Sequence, residues 1–119
     1  MRPVADEPDY LLHVIRRTCV AEIRSDEPDL NLRQLAVLLV VCLTDKPQTV
    51  RGLAAHLNVN KPAITRALDR LEELELAVRT ADRRDRRSVV VQCTVGGAAM
   101  VERLGVEMIG PHRVVRREC

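Results

Sequence analysis

The sequence predicts a mainly α-helical protein with one small β-hairpin. Three observations indicate this fold class: apolar residues recur at helical spacing along most of the chain, two helix-start signals follow each other closely near its middle, and an arginine-rich turn then separates two short strand-like runs. With 119 residues, of which 46% are hydrophobic and 30% charged, the composition is typical of one folded domain, predicted here to span residues 1–119.

Two helices are predicted in the first part of the chain. The first covers residues 9–24, and Asn31 can cap a second, LRQLAVLLVVCL, which ends near Thr44. The second helix is apolar on nearly all sides, so it must be covered on several faces. The first helix carries one apolar stripe, formed by Leu12, Ile15, Cys19 and Ile23.

Residues 50–74 predict a helix-turn-helix. Thr49 can cap the short helix VRGLAAHL, and Asn60 can cap the longer helix KPAITRALDRLEELEL. Asn58 lies in the turn between them, where it must adopt the left-handed conformation that glycine more commonly supplies. Two helices meeting at such a turn place the second one in a DNA major groove.

A basic hairpin follows, with predicted strands at 77–81 and 88–93 and the turn DRRDRR between them. Thr94 can cap a last helix over 95–109, which Gly110-Pro111 would end. A helix-turn-helix followed at once by a basic hairpin, or wing, over 77–93 predicts a winged helix-turn-helix.

The longer helix has polarity suited to a DNA groove. Its inward face is predicted to be Ile64, Ala67, Leu68, Leu71 and Leu74. Cations and donors lie near its N-terminus, where the helix dipole favours phosphate, whereas glutamates lie at the far end. Arg66 can bind a guanine edge and Thr65 a base or a thymine methyl group. Phosphate contacts are predicted at Asn60, Lys61 and Arg70.

Two of these residues have simpler interpretations. Asn60 is useful as a helix cap without DNA, and Arg70 can pair with Glu73 on the helix surface. Asp69 points partly outward and would repel phosphate unless Arg66 or Arg70 neutralises it.

The wing concentrates arginine where a narrow minor groove would attract it. Contacts are predicted at Arg84, Arg86 and Arg87. Asp82 and Asp85 are predicted to support the wing by folding its turn through side-chain to backbone hydrogen bonds.

Charge and composition exclude several other functions. The first fifty residues carry a net charge of −2 and the remainder +4, so the basic half contains the wing. The three histidines are scattered and no metal-ligand spacing occurs, so we predict no enzyme, metal or cofactor. The N-terminus lacks an apolar signal segment and the longest apolar run, 35–43, is far too short to cross a bilayer, which predicts a cytoplasmic protein without a membrane.

The segment VRGLAAHLNVNKPAITRALDRLEELELAVRTADRRDRRSVVVQCT resembles the DNA-binding core of the MarR family of bacterial winged-helix regulators. The resemblance rests on the NKPA helix start, the TRALDRLE helix, and a D-x-R-D-x-R wing made by Asp82, Arg84, Asp85 and Arg87. It covers roughly residues 30–108, because TVGGAAMVERL also resembles the helix that follows the wing in that family.

The resemblance implies a sequence-specific regulator of transcription that binds double-stranded DNA, with repression the commoner role. It implies recognition contacts at Thr65 and Arg66 and a minor-groove arginine at Arg87, supported by Asp85. Family members typically dimerise through N- and C-terminal helices. We therefore expect a homodimer that uses residues 9–24, with an altered interface because the 95–109 helix is shortened relative to the family.

The sequence is also compatible with a winged helix that binds protein instead of DNA. Such a chain would be a protein-binding module or an antagonist of a larger regulator. Some family members respond to small-molecule effectors, and some to oxidants through a first-helix cysteine, comparable to Cys19. The place of Cys19 on the apolar stripe instead predicts a buried residue. All four cysteines are predicted to be free thiols, Cys42 and Cys93 in the core and Cys119 exposed.

Overall fold

The computed structural model describes residues 7–110, in the order helix, helix, short strand, helix, helix, two strands and helix. Its elements are α1 (Pro8–Arg24), α2 (Leu32–Leu43), β1 (Gln48–Thr49), α3 (Val50–Leu57), α4 (Lys61–Glu73), β2 (Ala77–Ala81), β3 (Val89–Cys93) and α5 (Val95–Ile109). The predicted fold class, mainly α with a small hairpin arranged as a winged helix-turn-helix, is confirmed. Pro111, His112 and Cys119, about which the sequence raised expectations, lie outside the described residues.

The chain divides into two compact units. One unit comprises residues 30–101. The other combines the two ends of the chain, of which residues 7–29 and 102–110 are described. α5 begins in the first of these and ends in the second.

The unit of residues 30–101 has a core built around α4. Its most completely buried side chains are Val37, Leu38, Leu53, Ile64, Leu68, Leu71 and Val91, which come from three helices and the central strand. Four of the five residues predicted for the inward face of α4 are buried, and Leu74 is partly buried against the same core. The apolar periodicity of α4 therefore fixes which side of this helix remains outside.

Side-chain caps start the helices where the sequence placed them. The Asn31 side chain accepts a hydrogen bond from the Gln34 backbone N–H, Thr49 from that of Gly52, and Asn60 from that of Ala63. Asn58 ends α3 in the left-handed conformation, with φ 55° and ψ 45°, as its replacement of glycine predicted. These bonds satisfy N–H groups that a helix start leaves without partners.

The sheet has three antiparallel strands in the order β1-β3-β2, one more than the sequence predicted. In the hairpin Ala77 lies opposite Cys93 and Ala81 opposite Val89, while Gln48 of β1 lies opposite Val91. β1 has only two residues, too few to produce an alternating pattern in the sequence.

The expectation that Cys42 and Cys93 are free thiols is wrong. They form a disulfide, with their Cα atoms 5.0 Å apart. The two residues are 51 positions apart in the chain but meet because the end of α2 packs against β3. No local pattern indicates such a pairing.

In the second unit, the burial expected for α1 is also wrong. The stripe faces solvent, with Leu12 and Ile23 each 64% exposed, and Cys19 is exposed rather than buried. The buried positions of α1 are instead Val14, Thr18 and Glu22, which follow one another at four-residue steps.

The buried polar groups of α1 are satisfied by hydrogen bonds. Thr18 donates to the Val14 carbonyl at 2.8 Å, and Glu22 accepts two bonds from the Arg103 guanidinium, at 2.9 and 3.1 Å. The Arg103 hydrogen bond outweighs the opposing effect of burial, so the pKa of Glu22 is lowered. Burial, followed by the nearby Glu22, raises the pKa of Glu107.

Two glycines of α5 provide a matched test of the packing. A methyl group at Gly97 would overlap the Leu76 carbonyl oxygen, whereas nothing lies within 4 Å of one at Gly105. We expect Gly97→Ala to lower the free energy of unfolding by at least about 2 kcal/mol through overpacking. Gly105→Ala should raise it by up to about 1 kcal/mol because alanine favours the helix. Urea unfolding measures both, and equal effects would contradict the close approach at Gly97.

Candidate nucleic-acid interface

The outward face of α4 presents the predicted recognition residues. Lys61 and Arg66 are exposed and Thr65 is partly exposed, so neither Thr65 nor Arg66 is in the core. Asn60 is exposed, and its side chain accepts the Ala63 N–H bond that caps the helix. The start of α4 therefore offers a cation, a hydroxyl and a guanidinium to an approaching polyanion.

Arg70 is already engaged within its own helix. Its Nη1 lies 2.9 Å from an oxygen of Glu73, the surface pair that the sequence allowed as the simpler interpretation. Both side chains are largely exposed, so the pair is of a kind that contributes little to stability. Of the predicted phosphate-binding residues, Arg70 is thus the one whose charge is partly neutralised.

The wing turn is folded by its two aspartates. Asp82 accepts a hydrogen bond from the Arg84 backbone N–H and Asp85 one from that of Arg87, each at 3.0 Å. The backbone closes the turn further, with the Asp82 N–H donating to the Ser88 carbonyl and the Ser88 N–H to the Asp85 carbonyl. The carboxylates are therefore directed at the main chain of the turn.

The arginines of the wing are left exposed by this arrangement. Within residues 7–110, the ion pairs present include none of the wing guanidinium groups and none from Lys61 or Arg66. The exposed wing arginines are Arg83, Arg84, Arg86 and Arg87. Their charges are free to bind an external anion.

Arg79 of β2 is a residue that the sequence analysis missed. Its Nη2 lies 2.6 Å from Asp69, and its Nε pairs with Glu72, so one guanidinium joins two carboxylates of α4. Burial opposes its charge, but the hydrogen bonds to Asp69 and Glu72 prevail and the pKa of Arg79 is raised. The partner of Asp69 is therefore Arg79, and neither Arg66 nor Arg70, the two candidates that the sequence offered, forms an ion pair with it among residues 7–110.

A weak signal for Arg79 does exist in the sequence. It is the one charged residue in the strand AVRTA, ten positions after Asp69, and a strand adjacent to α4 would bring the two together. The contact fixes the base of the hairpin to the outer surface of α4.

Two other kinds of feature, metal-binding clusters and membrane-spanning helices, are absent from residues 7–110. They contain no group of three or more His, Cys, Asp or Glu side chains placed to hold a metal ion. None of the helices in this part of the chain combines the length and the apolar character that crossing a membrane requires.

The helices α2, α3 and α4, of which α3 and α4 form a helix-turn-helix, are followed by the β2–β3 hairpin and by α5. This arrangement defines a winged helix-turn-helix protein. The family can be stated as well. Residues 29–88 match the model of the MarR family, a segment that covers half of the sequence, and the chain belongs to this family. The resemblance inferred from the NKPA, TRALDRLE and wing motifs is thereby confirmed.

Solved structures have the same fold. A transcriptional regulator from Thermotoga maritima superimposes with a TM-score of 0.74 and 19% identity, over 92% of this chain and 75% of that one. The S. aureus MepR–DNA complex superimposes with a TM-score of 0.72 and 18% identity, over 92% of this chain and 88% of that one. Reduced AbfR bound to DNA superimposes with a TM-score of 0.64 and 19% identity, over 87% of this chain and 70% of that one. No curated protein matches the sequence significantly.

The Arg79 contact can be tested against a simpler arginine pair. Arg79→Ala leaves Asp69 and Glu72 without their shared partner, and we expect a loss of about 1 kcal/mol in the free energy of unfolding. Arg70→Ala removes one exposed pair and should cost less than about 0.5 kcal/mol. Urea unfolding at low and high salt measures the difference, which should shrink as salt screens the charges. A larger loss for Arg70→Ala would contradict the role assigned to Arg79.

Proposed function

We propose that this chain is a sequence-specific regulator of transcription, acting as a repressor, that binds double-stranded DNA in the cytoplasm. The observation that carries the proposal is the distribution of free cations. Arg70 and Arg79 pair with carboxylates, while Lys61, Arg66 and the wing arginines are exposed and have no carboxylate partner within the part of the chain that the structure describes. A surface that retains unpaired guanidinium groups is suited to a polyphosphate.

The roles of the α4 residues follow from their chemistry. Arg66 reads a guanine edge through paired hydrogen bonds, and Thr65 contacts a neighbouring base or a thymine methyl group in the major groove. Asn60 and Lys61 bind backbone phosphates near the start of the helix, where the dipole is favourable. Arg70 gives a weaker phosphate contact because Glu73 competes for it.

The wing supplies minor-groove contacts in this proposal. Arg84, Arg86 and Arg87 enter the groove, and Asp82 and Asp85 shape the turn that carries them, through the bonds to the Arg84 and Arg87 N–H groups. Guanidinium groups suit a narrow groove because they lose water more readily than ammonium groups. The DNA in the similar MepR and AbfR structures supports a DNA partner for this chain.

The functional unit is proposed to be a homodimer. In the unit that contains α1, large apolar side chains of this helix remain exposed, namely Leu11, Leu12, Ile15, Val20 and Ile23, which we call the α1 face. Val106, Met108 and Ile109 near the end of α5 are exposed as well. Exposed apolar surface of this kind is typical of a contact with another protein. A two-fold dimer would present two copies of α4 to a palindromic site. We assign no effector to it.

DNA recognition is tested with two arginine variants and a matched control. A random duplex pool first yields the preferred site. Arg66→Ala should then weaken binding by about 1–3 kcal/mol and relax the base preference at one position. Arg87→Ala should weaken binding to all sequences more evenly and lower the slope of affinity against salt. Titration of labelled duplex at several salt concentrations measures both.

Arg33→Ala is the control, because Arg33 is an exposed arginine of α2 with no assigned role. It should bind as the unaltered protein does. If neither Arg66→Ala nor Arg87→Ala changes DNA retention, the chain is instead a protein-binding winged helix.

The dimer is tested by placing a charge on the α1 face. Ile15 is 54% exposed, so Ile15→Glu should fold, yet a buried unpaired carboxylate would oppose association. We expect a monomer in light scattering, with loss of tight binding to the palindromic duplex. Leu32→Glu is the control, since Leu32 is 83% exposed at the start of α2 and does not belong to the α1 face. Equal masses for the two variants would contradict the dimer proposed.

A further inference from the structure

The Cys42–Cys93 disulfide encloses the whole DNA-binding segment. Cys42 is the penultimate residue of α2 and Cys93 the last residue of β3. The chain between them contains β1, α3, α4, β2 and β3, hence the turn and both groups of proposed DNA contacts. Because the bond joins the two ends of this segment, it constrains the segment as a unit.

Cys93 lies at the junction between β3 and α5, where several close contacts meet. In the hairpin it pairs with Ala77, and the next residue, Thr94, donates to the Glu75 carbonyl at 2.6 Å and accepts from the Gly97 N–H at 3.0 Å. A methyl group at Gly97 would lie 3.2 Å from the Cys93 sulfur. A shift of the Cys93 sulfur would therefore move the end of β3 and the start of α5 together.

The two cysteines are held near each other by packing as well as by the bond. Both are partly buried against the core of residues 30–101, beside the buried Val41 and Val91. Reduction would leave two neutral thiols, and no buried charge would force this packing apart. The reduced pair is thus expected to stay close enough to re-form the disulfide.

The redox conditions in which a DNA-binding regulator works determine whether this disulfide persists. If the proposed function holds, the protein works beside the chromosome, where thiol reductants keep most cysteines reduced and disulfides are usually transient. Because Cys42 and Cys93 are only partly buried, a small thiol or disulfide can reach them, which leaves the bond open to reversible exchange. This step rests on the proposed function.

We propose that Cys42 and Cys93 form a reversible redox lock on the DNA-binding segment, with the disulfide form binding DNA more tightly than the dithiol form. The oxidant is a low-molecular-weight disulfide. One cysteine thiolate attacks it, forming a mixed disulfide and releasing one thiol, and the second cysteine thiolate then displaces the other thiol. Two protein thiols are oxidised, each losing its proton, and one small disulfide is reduced to two thiols.

The direction follows from preorganisation. Joining the ends of the segment removes conformations that α4 and the wing would otherwise have to give up on binding DNA. The disulfide also restricts the unfolded chain, since it closes a loop of about fifty residues. Oxidation should therefore raise both the affinity for DNA and the unfolding temperature.

The experiment uses the full chain with Cys19→Ser and Cys119→Ser, so that only the pair can react. One sample is equilibrated with excess dithiothreitol and another with oxidised glutathione, and thiol titration verifies each state. Against the selected duplex, we expect the dithiol form to bind about three- to ten-fold more weakly. It should also unfold at a temperature lower by about 10 °C or more. A variant that also carries Cys42→Ser and Cys93→Ser should bind DNA and unfold as the dithiol form does, and neither reagent should change its behaviour.

The outcomes separate this proposal from the proposed function. Tight DNA binding that is the same in both verified states would overturn the lock and leave the DNA-binding function standing. So would failure of glutathione disulfide to re-form the bond in the folded dithiol protein. Absence of DNA binding in both states would overturn the proposed function and the lock with it. Reduced wild-type protein provides the same comparison if the serine variant does not fold.

Discussion

The proposed interface depends on which groups the carboxylates of α4 and of the wing form hydrogen bonds with. Arg79 holds Asp69 and Glu72, and the turn backbone holds Asp82 and Asp85. Without these contacts, the four carboxylates would be free to pair with the cations proposed to meet phosphate. Because each of these carboxylates has a partner other than those cations, Arg66 and the wing arginines belong to none of the ion pairs found among residues 7–110. The availability of these cations therefore depends on which groups pair locally, because the net charge of the whole chain is only +2.

The same helix serves both the core and the outer surface. One side of α4 contributes Ile64, Leu68 and Leu71 to the core with no exposed area, which fixes the rotation of the helix about its axis. That rotation leaves Arg66 outward, since it lies between the buried positions in helical spacing. A substitution that disturbed the core face would therefore also move the proposed reading face, although it touched no DNA contact.

Much of this fold could be predicted from the sequence because the signals were local. Asn31, Thr49 and Asn60 act on N–H groups three residues away, and Asn58 sets its own backbone angles, so short segments contain the information. The features that were missed join distant residues. Arg79 meets Asp69 only once β2 lies against α4, and Cys42 meets Cys93 only once α2 packs on β3. β1 depends on its partner strand in the same way.

The α1 stripe shows a different limit of sequence patterns. Helical periodicity correctly identified an apolar face, but it does not state what covers that face. In the described structure the covered side carries Thr18 and Glu22, which are tolerated because Val14 and Arg103 satisfy their hydrogen bonds. The stripe is therefore apolar surface beyond what the single chain buries, and Cys19 is exposed because it lies on it. An apolar pattern thus predicts that a partner is needed, while tertiary contacts decide whether the same chain provides it.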